Sequence, residues 1–288
     1  MKDKKAIVNY YDNAKISYQD AWHLDKCMAM HFGIWDKGVK NLQEALIREN
    51  QVLAEIINPQ PNDYGLDAGC GVGGSSIFLA QHFNCKMHGI TLSNNQKESA
   101  ENSARKLGVE NNTIFSVDDF HATQFKDNSF NFVWMLESFC HAYDSKKVLN
   151  EMFRVLKPGG KIIIADVFLS KPSHSKENLD LMTSWLNSWA VQFVEKGEKI
   201  PEFMKESGFE NIDSKNFTKS VTKSINKLNL FGRGALALGG IKRFFGKSYG
   251  NEITIQNSRG AVLSYQTLKK GIWDYLIFSA NKPKLVDK

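Results

Sequence analysis

The chain has 288 residues, of which 42% are hydrophobic and 24% charged, a composition that allows a sizeable globular core. Its formal net charge of +6 is mild and its lysines form no dense basic run, which disfavours a nucleic acid or membrane partner. No window approaches the roughly 18 apolar residues of a membrane span, and no apolar stretch follows the charged first residues, so we expect no signal peptide. Four cysteines without CxxC spacing fit free thiols in a reducing cytoplasm.

The first 60 residues are expected to form an N-terminal helical cap. Apolar residues recur at spacings of three and four within residues 41–57, which predicts a helix with one buried face. Asn58, Pro59, Pro61 and Asn62 then break the chain.

Strands and helices alternate regularly in the next hundred residues. Strands are expected at 64–67, 85–92, 113–117, 130–136 and 161–168, with helices at 75–83, 94–108 and 144–156 between them. Pro158, Gly159 and Gly160 are expected to turn the chain into the fifth strand. This alternation predicts right-handed crossovers and a doubly wound parallel sheet.

The pattern becomes less regular after the fifth strand. Helical insertions are expected at about 170–200 and 221–270, with a short helix at 201–209 and strands at 212–217 and 273–280. We therefore predict an α/β, Rossmann-like, mostly parallel seven-stranded sheet. Residues 1–60 would be the cap and residues 61–288 the core with its insertions.

A glycine-rich segment, LDAGCGVGG, joins the first strand to the next helix. Gly69, Gly71 and Gly74 satisfy the G-x-G-x-x-G spacing of nucleotide-binding folds, in which a missing Cβ lets a ligand approach the backbone. A nicotinamide site needs an acidic residue at the end of the second strand, and Gly89–Leu92 contains none. Asp67, just before the first glycine, would repel pyrophosphate but favour a sulfonium or ammonium group.

These residues carry a family resemblance. LDAGCGVGG resembles the first motif of class I S-adenosylmethionine-dependent methyltransferases, and RVLKPGGKIIIAD resembles the helix, turn and fifth strand of the same class. GITLSNNQ is similar to the second-strand motif of tocopherol methyltransferases and cyclopropane fatty acid synthases. The spacing from GALALGG to YQTLKKGIWDYLIFSANKP is similar to the C-terminal region of the tocopherol methyltransferases.

The resemblance implies an S-adenosylmethionine site. The glycines would line the methionine and ribose parts, the end of the second strand would hold the ribose, and the segment after the third strand would grip adenine. The fourth strand would offer a backbone carbonyl to the methionyl amine, and the cap would add one histidine. The implied positions are Asp67, Gly69, Gly71, Gly73, Thr91, Leu92, Gln96, Asp119, Phe120, Leu136 and His31, with Asp118 as the rival of Asp119.

Candidate catalytic residues follow the fourth strand, where an open sheet places its ligands. Glu137 and His141 are four residues apart and would share one face of a helical turn. His141 could act as a base, with Glu137 orienting it or binding substrate; a structural, helix-capping His141 is an equal alternative. The similar families also have this histidine but carry Glu where this chain has Cys140, which argues against cyclopropanation.

Aromatic residues outside the alternating core are expected to roof an acceptor pocket, although they could simply pack the added helices. They are Trp22, Trp35, Trp185, Trp189, Phe193 and those of residues 228–246. We predict transfer of a methyl group by direct displacement to a small aromatic or prenyl-like acceptor, with no metal and possible oligomerisation. The alternatives are a cyclopropane-synthase-like lipid-modifying enzyme, a nicotinamide-dependent oxidoreductase or a non-catalytic cofactor-binding protein.

Overall fold

A computed structural model describes residues 4–22, 28–170, 174–191, 193–244 and 252–284. Its centre is a seven-stranded sheet of order β3-β2-β1-β4-β5-β7-β6. Strands β1 to β5 pair in parallel, and β7 lies antiparallel between β5 and β6. The predicted mostly parallel, seven-stranded α/β sheet is confirmed. The strands are β1 Tyr64–Ala68, β2 Lys86–Thr91, β3 Thr113–Val117, β4 Phe130–Leu136, β5 Leu156–Leu169, β6 Glu210–Asn216 and β7 Trp273–Asn281.

Helices cover both faces of this sheet, and polar side chains begin several of them. Asn41, Ser93, Asp144 and Ser175 each accept a hydrogen bond from a backbone N–H three residues later, which satisfies a donor that the first helical turn leaves free. The helices are α1 Lys4–Trp22, α2 Leu42–Ile57, α3 Gly74–Phe83, α4 Asn94–Lys106, α5 Ser145–Val155, α6 Lys176–Ser188, α7 Ile200–Glu206, α8 Thr218–Phe244 and α9 Glu252–Lys269.

Two predicted boundaries are wrong. Residues 28–41 form an irregular loop rather than part of a helical cap, because Gly33 and Gly38 adopt positive φ angles of 83° and 103°. Strand β5 starts at Leu156, so the Pro-Gly-Gly segment lies inside the strand. The pairing with β4 shifts there, from Phe130 opposite Leu156 to Phe132 opposite Lys161, so these residues form an irregularity within the strand.

The sheet separates two hydrophobic clusters, and β4 contributes to both. Phe132 and Trp134 face the cluster that contains side chains of α2, α6, α8 and α9, while Val133 and Met135 face the cluster under α5 and α7. A strand buried on both faces is typical of a parallel sheet and explains its continuous apolar sequence. Helices α6, α8 and α9 therefore lie together on one face, beside the carboxyl ends of β4 and β5.

Candidate active site

A cavity with about 1170 Å³ of empty space lies at the carboxyl ends of β1 to β4. The order of the sheet reverses between β1 and β4, the position where open α/β sheets place their ligands. Its walls are the loop after β1, the segments after β2, β3 and β4, the loop that begins at Met28, and α1. Ten of the eleven predicted cofactor-binding residues lie in this lining.

The glycine loop after β1 forms a tight elbow. The N–H groups of Gly69 and Cys70 donate to the carbonyl of Ile90, at 3.0 and 2.9 Å, and fasten the elbow to β2. Gly71 has a φ of +52° and lines the cavity; a Cβ there would meet only the methyl group of Met30, at 2.7 Å. The missing side chain therefore leaves backbone open to a ligand.

Gly73 is the predicted cofactor residue that lies outside the cavity lining. A Cβ at this position would meet Ala100 and Phe115, at 2.8 and 2.9 Å, so its glycine is required for packing of the elbow against α4 and β3. Gly74 lies in the lining instead. The glycine pattern thus contains two kinds of position: Gly71 leaves backbone open to a ligand, whereas Gly73 permits close packing. The spacing of the glycines alone does not distinguish the two.

Asp67 is buried beneath the elbow and lines the cavity. Its Oδ2 accepts a hydrogen bond from Ser76 Oγ at 2.7 Å, which ties β1 to α3. Burial raises the pKa of Asp67 to about 6. This carboxyl group is placed to support the loop, as the resemblance implies.

The segment after β2 forms the wall where a ribose is predicted. Thr91 Oγ1 donates to Gln96 Oε1 at 2.6 Å, and both residues and Leu92 line the cavity. Ser93 Oγ donates to Asp12 Oδ1 at 2.5 Å and so attaches α1 to this wall. The wall therefore offers hydroxyl and amide groups where a nicotinamide site would have an acid.

Asp119 lies in the segment after β3, where adenine is predicted. Its Oδ1 accepts from the backbone N–H and Nδ1 of His121, at 2.9 and 2.7 Å, and its Oδ2 pairs with Lys4 at 2.5 Å. Burial opposes ionisation, but the bonds from His121 and Lys4 hold the pKa of Asp119 below its ordinary value. Asp118 instead accepts from the N–H groups of Asp119 and Gln124, which closes its own turn.

The cavity also contains residues that the sequence analysis missed. His121 stacks on Tyr143 with ring centroids 3.8 Å apart, and both line the cavity beside Phe120. In the described part of the chain, the buried His121 Nε2 has no hydrogen-bond partner. The position of His121 two residues after Asp119 is the signal that could have identified it. A ligand in the cavity could therefore form a hydrogen bond with His121 Nε2.

Glu137 does not face His141, so the predicted contact between them is wrong. Glu137 has a φ of +46°, and the following helical turn begins only at Phe139. Its Oε1 accepts from the backbone N–H of Phe32 at 2.8 Å and lies 3.0 Å from the Tyr275 hydroxyl. The positive φ turns this side chain away from the helical face that a four-residue spacing would give.

Glu137 belongs to a buried polar network. The Tyr275 hydroxyl lies 2.6 Å from Glu49 Oε1 as well as near Glu137, and Glu49 Oε2 is 2.6 Å from His31 Nδ1. Because the hydroxyl carries one proton, both of its contacts are satisfied when one of the two carboxyl groups is protonated. Burial, reinforced by Glu49, raises the pKa of Glu137 well above its ordinary value.

His141 faces α1. Its Nε2 is 2.9 Å from the Tyr11 hydroxyl, while its Nδ1 is buried and lacks a hydrogen-bond partner among the described residues. Burial lowers the pKa of His141 to about 4. The histidine is therefore neutral at neutral pH and a weak base.

A second cavity, with about 1140 Å³ of empty space, adjoins the first. Tyr11, Met30 and Glu137 line both cavities, so the two meet at these side chains. The remaining wall is largely apolar and comes mainly from α6, α8, α9 and the segment after α6, with further residues from β5, the turn after β4 and the loop that begins at Met28. Its apolar members are Phe32, Val167, Trp185, Leu186, Trp189, Val191, Val194, Leu228, Phe231, Ala235 and Ala261.

Asp166 is a polar group at the sheet side of the second cavity. Asp166 accepts from the backbone N–H groups of Cys140 and Val167, at 2.8 and 2.7 Å, and burial raises its pKa to about 7. Of the aromatics predicted to roof a pocket, Trp185, Trp189 and Phe231 line this cavity. Trp35 instead donates to Ser224 at 2.7 Å outside it, and the side chain of Trp22 is outside the described residues.

The sequence matches a known family over the part of the chain that forms the first cavity. Residues 66–164 match the family described as a methyltransferase domain. This part of the chain is therefore similar to a methyltransferase domain. The match confirms the resemblance to S-adenosylmethionine-dependent methyltransferases and disfavours the nicotinamide alternative.

Curated relatives of this methyltransferase domain include several methyltransferases. The chain is 33% identical over 165 residues to methyltransferase GfsG of Streptomyces halstedii, a match that covers 57% of this chain and 58% of that protein. It is 32% identical over 205 residues to the chloroplastic tocopherol O-methyltransferase of Arabidopsis thaliana, covering 67% of this chain and 56% of that protein. The chain thus spans about half the length of the curated relatives it matches.

Solved structures share the fold of this chain over nearly its whole length. The [4+2]-cyclase SpnF has a TM-score of 0.79 at 24% identity and covers 96% of this chain and 95% of its own. A geranyl diphosphate C-methyltransferase from Streptomyces coelicolor A3(2) has a TM-score of 0.75 at 17% identity, with 98% of both chains covered. Because one of these neighbours is a cyclase, the fold alone does not define the reaction.

Proposed function

We propose that this chain transfers the methyl group of S-adenosylmethionine to a small acceptor with an apolar, aromatic or prenyl-like body and a hydroxyl or amine at its reacting end. One observation carries the proposal: the cavity of the methyltransferase domain opens at Glu137 into a second, mostly apolar cavity. The regions predicted as acceptor-pocket insertions, about 170–200 and 221–270, contribute α6, α8 and α9 to its wall.

The first cavity fits an amino-acid nucleoside. The bare backbone at Gly71 accommodates a group that a side chain would exclude. Thr91 and Gln96 would bind the ribose, Asp119 and Phe120 the adenine, and the backbone at Leu136 the methionyl amine, with His31 and Asp67 supporting the loops that line it. His121 Nε2 supplies a further donor or acceptor at the adenine end.

S-adenosylmethionine supplies a methyl carbon bound to a positively charged sulfur. A lone pair of the acceptor oxygen or nitrogen forms the new bond to this carbon while the carbon–sulfur bond breaks and its electron pair stays on sulfur. The acceptor must also lose a proton. We assign that proton to Glu137 in its ionised state, because Glu137 lines both cavities and its raised pKa makes the ionised carboxylate a stronger base than an ordinary one.

The remaining protein groups position the acceptor and exclude water. Trp185, Trp189 and Val194 would bind the apolar body, which buries surface that water would otherwise cover. Alignment of two reacting atoms in a dry site can contribute several kcal/mol to the lowering of the barrier. His141, neutral and bonded to Tyr11, would position α1 over the junction rather than act as the base.

Methyl-labelled S-adenosylmethionine tests the proposal. The protein is incubated with the label and a cell extract, and then with soluble phenols, prenyl alcohols, apolar amines and unsaturated lipids, and the products are identified by mass spectrometry. We expect one apolar hydroxyl or amine compound to gain a methyl group. An acceptor that isomerises with no gain in mass, or a lipid that gains a ring methylene, would contradict methyl transfer to oxygen or nitrogen.

A pair of variants on one helix tests the acceptor cavity. Ala235 lines the second cavity, whereas Ala237, on the same helix, is exposed. Ala235→Phe fills the cavity and should raise the acceptor KM by about tenfold or more without changing affinity for S-adenosylhomocysteine, since the two sites bind separately. Ala237→Phe should leave both constants unchanged. Equal KM values in the two variants would show that the acceptor binds elsewhere.

A further inference from the structure

Helix α8 has a one-sided charge composition. Its 27 residues contain six basic side chains and no acidic one. Lys219, Lys223, Lys227 and Arg233 form no ion pair with a carboxylate in the described part of the chain. At these four residues the helix therefore carries positive charge that no described carboxylate neutralises.

The same helix exposes a row of large apolar side chains. Leu230, Phe231, Leu238 and Ile241 are 70%, 47%, 55% and 56% exposed, and they account for four of the eleven large hydrophobic residues exposed among the described residues. Their spacing places them together on the side of α8 opposite Val221, Ile225, Leu228 and Ala235, which are buried. A contiguous apolar face in water marks a surface that another apolar surface covers.

The charges adjoin this apolar row. Lys223 and Lys227 lie two turns and one turn before Leu230 on the exposed side, and both approach the ring of Trp35, at 4.0 and 5.4 Å from its centroid. Apolar side chains bordered by lysines and an indole ring are typical of helices that lie in the interface of a membrane. Anionic lipid headgroups complement the lysines, and acyl chains complement the apolar row.

Phe231 connects this face to the second cavity. Its side chain is half exposed and also lines the cavity, next to Leu228 and Ala235. Within the described ranges, no helix has both the length and the apolar character that crossing a membrane requires. We propose that α8 seats the protein on the surface of bilayers that contain anionic lipid, with the mouth of the apolar cavity facing the lipid.

Binding to vesicles tests this proposal without cofactor or acceptor, so the outcome does not depend on the proposed methyl transfer. The full chain is floated with vesicles of phosphatidylcholine alone and of phosphatidylcholine mixed with phosphatidylserine. We expect binding to the mixed vesicles, weakened by salt because exposed charges are screened. Failure to bind the mixed vesicles would overturn the proposal.

Two sets of variants separate the apolar and charged contributions. Leu238→Ser with Ile241→Ser should reduce binding by at least about tenfold, because two apolar side chains are removed from the lipid contact. Ile47→Ser with Ile114→Ser is the matched control, since these residues are 42% and 55% exposed on other elements, and it should bind like the unmodified chain. Lys223→Gln and Lys227→Gln should each cost about fivefold on mixed vesicles.

A protein partner is the competing occupant of this face. The alternative outcome is that the chain does not bind vesicles but forms a dimer in light scattering, and that Leu238→Ser with Ile241→Ser abolishes this dimer. In that case α8 is a protein interface and the proposal fails. Equal vesicle binding by this variant and its control would also overturn it. Retained thermal stability in both double variants confirms that each chain is folded.

Discussion

The two cavities meet at Glu137 but are assembled in different ways. The first cavity, which we propose binds the cofactor, is built mainly from short segments that directly follow β1, β2, β3 and β4. The second cavity, which we propose binds the acceptor, is built mainly from side chains of α6, α8 and α9 that are far apart in the sequence and come together only through packing on the sheet. The first cavity is therefore encoded locally, whereas the shape of the second depends on how whole helices pack.

The largest expected effect concerns the first cavity, which is built from short local segments. Gly71→Val places a branched side chain in the cofactor cavity at a φ of +52°, where valine is also strained. We expect affinity for S-adenosylhomocysteine to fall by about 100-fold or more, the equivalent of about 3 kcal/mol. Isothermal titration calorimetry measures this change.

Gly271→Val tests whether an effect of Gly71→Val comes from filling the cavity or from backbone strain at a positive φ. Gly271 has a similar φ of +62°, but a Cβ there meets nothing within 4 Å and the residue lies outside both cavities. This variant should lose stability while its affinity for S-adenosylhomocysteine stays the same. A comparable loss of affinity in both glycine variants would show that the elbow does not bind the cofactor.

The next largest effect concerns the junction between the cavities. Glu137→Gln keeps an oxygen that can accept from Phe32 and Tyr275 but cannot take a proton. We expect kcat to fall by about 100-fold or more, the range for loss of a general base. Affinity for S-adenosylhomocysteine should change little, because the side chain is held by protein groups.

Glu198→Gln is the control for this substitution, since Glu198 is exposed outside both cavities. It should retain full turnover. Unchanged turnover in Glu137→Gln, with a labelled product still formed, would remove Glu137 from the proton transfer and return His141 to consideration as the base.

The sequence predicted the strands, the glycine loop and the cavity they form, because each depends on neighbouring residues. Prediction failed where backbone conformation or distant packing decides the outcome. The contact between Glu137 and His141 assumed a helical turn that the positive φ of Glu137 removes. Spacing also does not distinguish Gly73, which packs against Ala100 and Phe115, from Gly71, which lines the cavity. The second cavity and the exposed face of α8 required knowledge of which helix faces are buried.

A smaller effect is expected from the titration of His141. The pKa of His141 is about 4 in the folded chain, whereas its ordinary value, which applies to the unfolded chain, is 6.5. Between pH 4 and pH 6.5 the unfolded chain therefore binds more protons than the folded chain. Stability from neutral His141 is therefore present above pH 6.5 and is lost as pH falls towards 4. Between pH 7 and about pH 4.5 the loss amounts to about 2 kcal/mol.

His141→Gln should lack this pH-dependent loss, while its amide can still bond to Tyr11. Urea unfolding at the two pH values measures the difference: the free energy of unfolding should fall by about 2 kcal/mol less in the variant than in the unmodified chain. Equal decreases would show that His141 is solvated enough to titrate normally, and that α1 does not seal the cavity above it.

The smallest expected effect concerns α1, which borders both cavities. Lys4 pairs with Asp119, so this lysine competes with a cofactor for the group predicted to bind adenine. Lys4→Met should tighten binding of S-adenosylhomocysteine by up to about fivefold, because an exposed ion pair contributes at most about 1 kcal/mol. Lys146→Met, which removes the ion pair of a similarly exposed lysine with Glu206 away from both cavities, should leave affinity unchanged. Weaker binding in Lys4→Met would mean that Lys4 contacts the cofactor directly. Helix α1 would then contribute to cofactor binding together with the segments that follow the strands.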